Sequence, residues 1–212
     1  MKLVAMQPYF LPNINYFNLL KSADIAVLLD DVSISNRTWI NRNYFTLENS
    51  RKRVTVNLRK HSQSEQIKNV KIHNDFRHQV LLDRFGNSYG SSPIWPSIES
   101  MLQQGFAKNT SISELNHEFL KHLLELEKSE TKLVTSSSIL TKNNVAKTER
   151  ILLLCHETGC NEFINNESGI WQYDSREFSI AGIKLTPFVQ ETGPRTEVSY
   201  LDILLNAHKN KK

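Results

Sequence analysis

Two short apolar runs open the chain, Leu3-Val4-Ala5-Met6 and Ile25-Ala26-Val27-Leu28-Leu29, and residues 13–22 between them carry Tyr16, Phe17, Leu19 and Leu20 at helical spacing. Uniformly apolar runs of this length mark strands buried on both faces, as in a parallel sheet. Strand, helix and strand within about thirty residues predict a βαβ unit, whose right-handed crossover leaves both carboxyl ends pointing the same way. Residues 52–58 and 70–73 read as further strands, with the polar residues 61–68 as a loop. Residues 75–89 and 93–104 repeat apolar positions at helical intervals, punctuated by Gly86, Gly90 and Gly105. Ser111-Ile112-Ser113-Glu114 has the spacing of a capping box, and Leu115, Phe119, Leu123 and Leu126 follow it along one helical face.

Residues 132–135 predict a strand, residues 144–158 a helix closed by Gly159, and residues 162–164 another strand, a second βαβ unit. Residues 183–189 alternate like a strand but contain Pro187, which cannot donate to a ladder and so argues for a sheet edge. Residues 200–207 form a closing helix, and residues 209–212 a frayed end. The predicted fold class is α/β: a three-layer-like domain with a mainly parallel sheet built from βαβ units, plus a helical segment in the middle of the chain. Residues 1–212 read as one domain, with residues 75–128 as its helical subregion.

The chain has 212 residues, 39% of them apolar, which is enough for a continuous core. No apolar run approaches the roughly twenty residues of a membrane span, and the first residues lack the pattern of a signal peptide, so a cytoplasmic location is expected. Cys155 and Cys160, the two cysteines, fit neither a disulfide framework nor a zinc site and are expected to be reduced, packed thiols. His73 and His78, like His117 and His122, are five apart, a spacing that diverges on a helix, so no metal site is assigned. The formal charge of +4 is unevenly spread: residues 34–84 hold eleven Lys and Arg against four Asp and Glu, so the middle of the chain should attract anions. Dinucleotide, Walker and nucleophile-elbow motifs are missing from the sequence, and no cofactor is assigned.

Candidate chemistry follows each opening run. Gln7-Pro8-Tyr9-Phe10-Leu11-Pro12 comes after the first and Asp30-Asp31 after the second. Open parallel sheets bind ligands outside the carboxyl ends of their strands. Gln7, Tyr9, Asp30 and Asp31 are therefore predicted to line one crevice, with residues 36–43 folded over its rim. Adjacent residues of an extended chain point to opposite sides, so one acid should meet the ligand while the other caps a turn or pairs with Arg37 or Arg42. The structural alternative has both acids capping turns. Asn41, Arg42 and Asn43 supply amide and guanidinium groups suited to a diphosphate or a sugar ring, and Trp39 either stacks on a ligand or anchors the loop. Ser136 and Ser137 stand at a third strand end as accessory hydroxyls. Arg51-Lys52-Arg53 and Arg59-Lys60 read as solvated strand ends.

Taken together, Met6-Gln7-Pro8-Tyr9-Phe10-Leu11-Pro12, Tyr16-Phe17, Asp30-Asp31-Val32 and Trp39-Ile40-Asn41-Arg42-Asn43 resemble the WbqC-like protein family, often associated with gene clusters for O-antigen and other bacterial surface polysaccharides. Weaker matches continue through Leu115-Asn116, Ser136-Ser137, Thr148-Glu149-Arg150, Tyr173, Phe178, Gly182-Ile183 and residues 199–204. Two features depart from the family pattern. Met6 stands where many members have histidine before Gln-Pro, so a histidine base at that position is not part of this chain's chemistry. Ser168-Gly169-Ile170-Trp171-Gln172-Tyr173 and residues 191–198 also differ from the family's Gly-Gly before its tyrosine and its Tyr-x-Gln near the C-terminus.

The resemblance implies nucleotide-linked sugars, particularly amino sugars with unusual N-acyl or aminoacyl groups. The leading expectation is a transferase acting on such a sugar: Asp30 or Asp31 as base, Gln7 and Asn41 orienting substrate or oxyanion, Arg37 and Arg42 on phosphate, Tyr9 and Trp39 as apolar walls. The partner is then a nucleotide-linked sugar or another phosphorylated small molecule. The alternative is a non-catalytic, glycan- or partner-binding accessory protein of a polysaccharide assembly system. Nucleic acid ranks last, because acids and helices interrupt the basic stretch. The oligomeric state is left open.

Overall fold

The computed structural model describes residues 1–35, 38–108, 110–140 and 145–209. In chain order the elements are β1 (Lys2–Met6), α1 (Ile14–Lys21), β2 (Ile25–Leu28), β3 (Arg42–Leu47), β4 (Ser50–Thr55), α2 (His78–Tyr89), α3 (Trp95–Lys108) and α4 (Ile112–Leu126). They continue with β5 (Lys132–Thr135), α5 (Ser136–Ile139), α6 (Lys147–Thr158), β6 (Glu162–Asn166), α7 (Glu167–Ile170), α8 (Ser175–Ile180), β7 (Lys184–Phe188) and α9 (Tyr200–Lys209). The protein is α/β, with a five-stranded, all-parallel sheet and helices in the middle of the chain. Among the described residues, no helix is long and apolar enough to cross a membrane.

The chain divides into two compact units. One comprises Met1–Pro8, Asn15–Val32 and Leu124–Glu191; the other comprises Tyr9–Ile14, Ser33–Leu123 and Thr192–Lys212. The first holds the sheet, in the order β5-β2-β1-β6-β7. Every residue of β2 is buried, as its apolar run requires of a strand flanked on both sides. β7 lies at an edge, where Pro187 faces only β6, opposite Asn165. α6 ends on Gly159 at φ 70°, the left-handed conformation that favours glycine, and its N–H caps the Cys155 and His156 carbonyls. Leu3, Val27, Ile151, Leu154, Cys155, Phe163 and Phe178 form the core of this unit, and both cysteines are buried free thiols.

The second βαβ unit differs from its simplest form. β5 and β6 are parallel, but β2 and β1 lie between them, so the α6 connection crosses two strands. The chain therefore builds outward from β1 through β2 in one direction and returns to build through β6 and β7 in the other. β1 and β6 pair only at Lys2↔Glu162 and Leu3↔Phe163, and beyond those positions the ladder stops.

The second unit contains the β3–β4 hairpin and the helices α2, α3 and α9. The residues expected to form a loop rim are partly strand: Arg42 and Asn43 begin β3, whose inward positions Asn43, Phe45 and Leu47 alternate with half-buried Arg42, Tyr44 and Thr46. The hairpin turns at Glu48 and Asn49, both at positive φ (53° and 56°), as a tight hairpin turn demands. The strand expected over residues 52–58 ends at Thr55, because β3, its partner, starts at Arg42. Residues 70–73 make isolated antiparallel bridges, Leu58↔Ile72 and Lys71↔Ser111, instead of a strand. α4 starts where the capping motif places it, but the Ser111 hydroxyl donates to the Lys68 carbonyl at 3.0 Å.

Candidate functional site

The sequence-predicted residues fall into two clusters. Gln7, Asp30, Asp31, Ser136 and Ser137 belong to the first unit; Tyr9, Trp39, Asn41, Arg42 and Asn43 belong to the second. Arg37 lies outside the described residues.

In the first unit, Leu28 of β2 is level with Thr135 of β5. The residues that follow the two strands are therefore neighbours, which brings Asp30 and Asp31 to Ser136 and Ser137. The Ser137 N–H at the start of α5 donates to Asp30 Oδ1 at 2.9 Å, and its hydroxyl donates to Asp30 Oδ2 at 2.5 Å. The Ser136 hydroxyl is 3.2 Å from Asp30 Oδ1 and in closer contact with Asp31 Oδ1, so one proton serves two carboxylates. Arg150 of α6 donates from Nη1 to Asp31 Oδ2 at 2.7 Å in an ion pair with side-chain exposures of 9% and 0%.

The two acids thus converge instead of diverging. β2 ends at Leu28, so the alternation of an extended strand no longer governs residues 30 and 31. A guanidinium that pairs with Asp31 is that of Arg150, a partner that local spacing could not indicate, and Arg42 makes no ion pair among the described residues. Among the described residues Asp30 has hydrogen bonds but no ion pair. Gln7 is half-buried directly after β1, and its carbonyl accepts from the Tyr16 hydroxyl at 2.8 Å. It stands at the end where β1 and β6 part, the point of strand-order reversal at which open parallel sheets take ligands.

In the second unit, hydrogen bonds fix the segment around Trp39. The Trp39 carbonyl accepts from Phe10 N–H at 2.9 Å, and the Ile40 carbonyl accepts from Asn116 Nδ2 at 2.7 Å. Asn41 Nδ2 donates to the Val56 carbonyl at 2.9 Å. Asn43 is buried, giving its amide N–H to the Leu11 carbonyl at 2.6 Å and accepting from Tyr44 N–H at 2.8 Å, which ties the Phe10-Leu11 turn to β3. Tyr9 is half-buried, and burial raises its phenol above the ordinary value.

Arg42 points to the other face of β3 and lines a cavity of about 780 Å³ together with Asn41, Arg59, Lys60, His61 and His73. Asp75 is the one carboxylate among the described lining residues, and it lies 3.6 Å from His73 Nδ1. Arg59 is held by Asn74 Oδ1. Arg42 and Lys60 have no side-chain hydrogen bond or ion pair among the described residues. Two unmatched cations and two imidazoles around one cavity make it an anion-binding arrangement. Arg59 and Lys60 are exposed, as the solvated reading of the sequence expects, and they also line this cavity. His61 and His73 carried no recognisable spacing that could have assigned them to it.

The chain matches the model of the WbqC-like protein family over residues 7–212. It is also similar to "Uncharacterized protein Rv1507c" of Mycobacterium tuberculosis, 24% identical over 226 residues that cover 97% of this chain and 93% of the relative.

Proposed function

Because the chain belongs to the WbqC-like protein family, we propose that it is a transferase that modifies a nucleotide-linked amino sugar in surface-polysaccharide biosynthesis, by N-acyl or aminoacyl transfer. The observation that carries this reading is the cationic cavity beside β3, where Arg42 and Lys60 are unmatched by any described acid and Arg59, His61 and His73 add donors. Planar guanidinium forks suit phosphate oxygens, and a phosphate linked to a sugar satisfies them as no neutral glycan would. In the transfer, the sugar amine attacks the carbonyl of an activated acyl donor, the amine proton passes to a base, and the donor's leaving group departs.

A thermal-shift series tests the binding half, because a ligand that prefers the folded state raises Tm by mass action. Nucleoside diphosphate sugars should raise Tm, and the matching free sugars should not. The Arg42→Ala/Lys60→Ala double variant should lose that rise. A rise that survives in the double variant would dismiss the cavity as the site. For the chemical half, incubation of the protein with a nucleotide-linked amino sugar and an activated acyl donor should give an acylated nucleotide sugar by mass spectrometry.

One observation favours the second reading, a non-catalytic binding protein: both carboxylates are engaged from within the protein. That reading predicts the same Tm rise, and no product with any acyl donor.

A further inference from the structure

Beside the cationic cavity lies a smaller recess of about 250 Å³ lined by Trp39, Arg42, Tyr44 and Arg53. Arg42 lines both. From this shared wall, and resting on the phosphate-binding reading above, we infer that the recess is a nucleobase subsite: it takes the planar, carbonyl-bearing ring of a uridine-type nucleoside diphosphate whose phosphates lie against Arg42 in the larger cavity.

Three features of the hairpin carry the inference. The first is the exposure of Trp39. Trp39 is 41% exposed, yet its own carbonyl accepts from the Phe10 N–H and the next carbonyl, of Ile40, accepts from the Asn116 amide. A large aromatic held outward on a rigid backbone gives up little entropy when a ring covers it. The second is the placement of Tyr44, whose ring meets Trp39 edge-on, with centroids 6.1 Å apart and planes at 61°. The Arg51 guanidinium covers Tyr44 at 3.9 Å from its centroid and is itself anchored to Glu197 at 3.3 Å. Tyr44 is therefore braced, and it forms a wall steeply inclined to the indole.

The third feature is the charge. In the β3–β4 register Tyr44 opposes Arg53 and Arg42 opposes Thr55, so Arg42, Tyr44 and Arg53 share one face of the hairpin. Neither Arg42 nor Arg53 has a side-chain hydrogen bond or ion pair among the described residues. Guanidinium groups are donors only. Two of them beside an aromatic pair match a flat ring rimmed with carbonyl acceptors better than a ring rimmed with hydroxyls. A base attached through its ribose to a diphosphate then places ring and charge on opposite sides of Arg42.

Calorimetric titration of the full chain with two probes, inorganic pyrophosphate and uridine 5′-diphosphate, tests this. Pyrophosphate reports the cationic cavity alone, and uridine diphosphate reports both. Base stacking on an aromatic side chain is worth about ten- to a hundredfold in affinity. Uridine diphosphate should therefore bind at least about tenfold more tightly than pyrophosphate. Trp39→Ala should remove that advantage and leave pyrophosphate affinity unchanged, while Trp39→Phe should retain much of it. Equal affinity for the two probes, or a uridine advantage that persists in Trp39→Ala, would overturn the subsite. If the probes bind equally and Arg42→Ala weakens both, the phosphate-binding reading stands without the subsite. If neither probe binds, both fall. An unchanged circular dichroism spectrum for Trp39→Ala, expected for a half-exposed side chain, confirms that the comparison concerns binding.

Discussion

At the scale of single residues, the acid cluster behind β2 shows how buried charge is tolerated. Asp31 is 2% exposed and Arg150 7% exposed. A charge so placed is kept only when paired and hydrogen-bonded, since removing one partner leaves the other desolvated and unmatched. Arg150→Met should therefore cost about 3–5 kcal/mol in urea denaturation. The double change Arg150→Met/Asp31→Leu, which removes both charges, should recover most of that loss. A single variant within about 0.5 kcal/mol of the parent would mean that water reaches Asp31. The same residues show what sequence can reveal of a site. The aspartate doublet stood out because carboxylates after an apolar run are conspicuous, and Ser136-Ser137 was visible as a third strand end. Arg150, 119 residues from Asp31, was visible only as part of the Thr148-Glu149-Arg150 match, because a partner brought in by tertiary folding leaves no local spacing.

At the scale of elements, two helical glycines of the second unit separate backbone propensity from packing. A Cβ on Gly105 of α3 would lie 2.4 Å from Phe119 Cε1 and 3.3 Å from Leu115 Cδ1 of α4. Phe119 is fully buried, so its ring has nowhere to yield. Gly105→Ala would gain about 1 kcal/mol of helix propensity and lose about 1–3 kcal/mol or more to overpacking, and a net loss is expected. On Gly86 of α2 the same Cβ would meet Trp95 at 3.7 Å, an ordinary contact. Gly86→Ala should accordingly stabilise the protein by about 0.5–1 kcal/mol. Paired thermal melts check both, and shifts of the same sign would refute the packing argument. Most elements were legible from periodicity: β1 and β5 fall on the expected residues, and α6 ends on Gly159 as expected. β3 was not legible, because its first inward position is Asn43. A buried amide that satisfies the Phe10-Leu11 turn reads from sequence as a polar loop residue. Residues 70–73 failed in the opposite sense, as apolar enough for a strand but with partners on each side that supply only isolated bridges.

At the scale of the whole molecule, neither unit is a continuous stretch of chain; each is assembled from three segments. Burial of weakly acidic groups then gives stability a defined pH dependence. In the first unit burial raises the Cys155 thiol from 9.0 to about 12 and the Tyr173 phenol from 10.0 to about 12. In the second, burial and the Asp202 carboxylate push Tyr89 higher still. A folded-state pKa above the unfolded value means that the unfolded chain loses its proton first. The contribution is complete below about pH 9 and is lost progressively as pH rises toward 12. At about 1.4 kcal/mol per unit, Cys155 and Tyr173 together should remove on the order of 4 kcal/mol between pH 8.5 and 11. Urea midpoints measured across that range should fall steadily. A thiol reagent should label Cys155 and Cys160 only as the chain unfolds, because both are buried. Rapid labelling at pH 9 without denaturant, or a midpoint flat to pH 11, would show that these groups titrate as though solvated and that the core around α6 opens more readily than its packing implies.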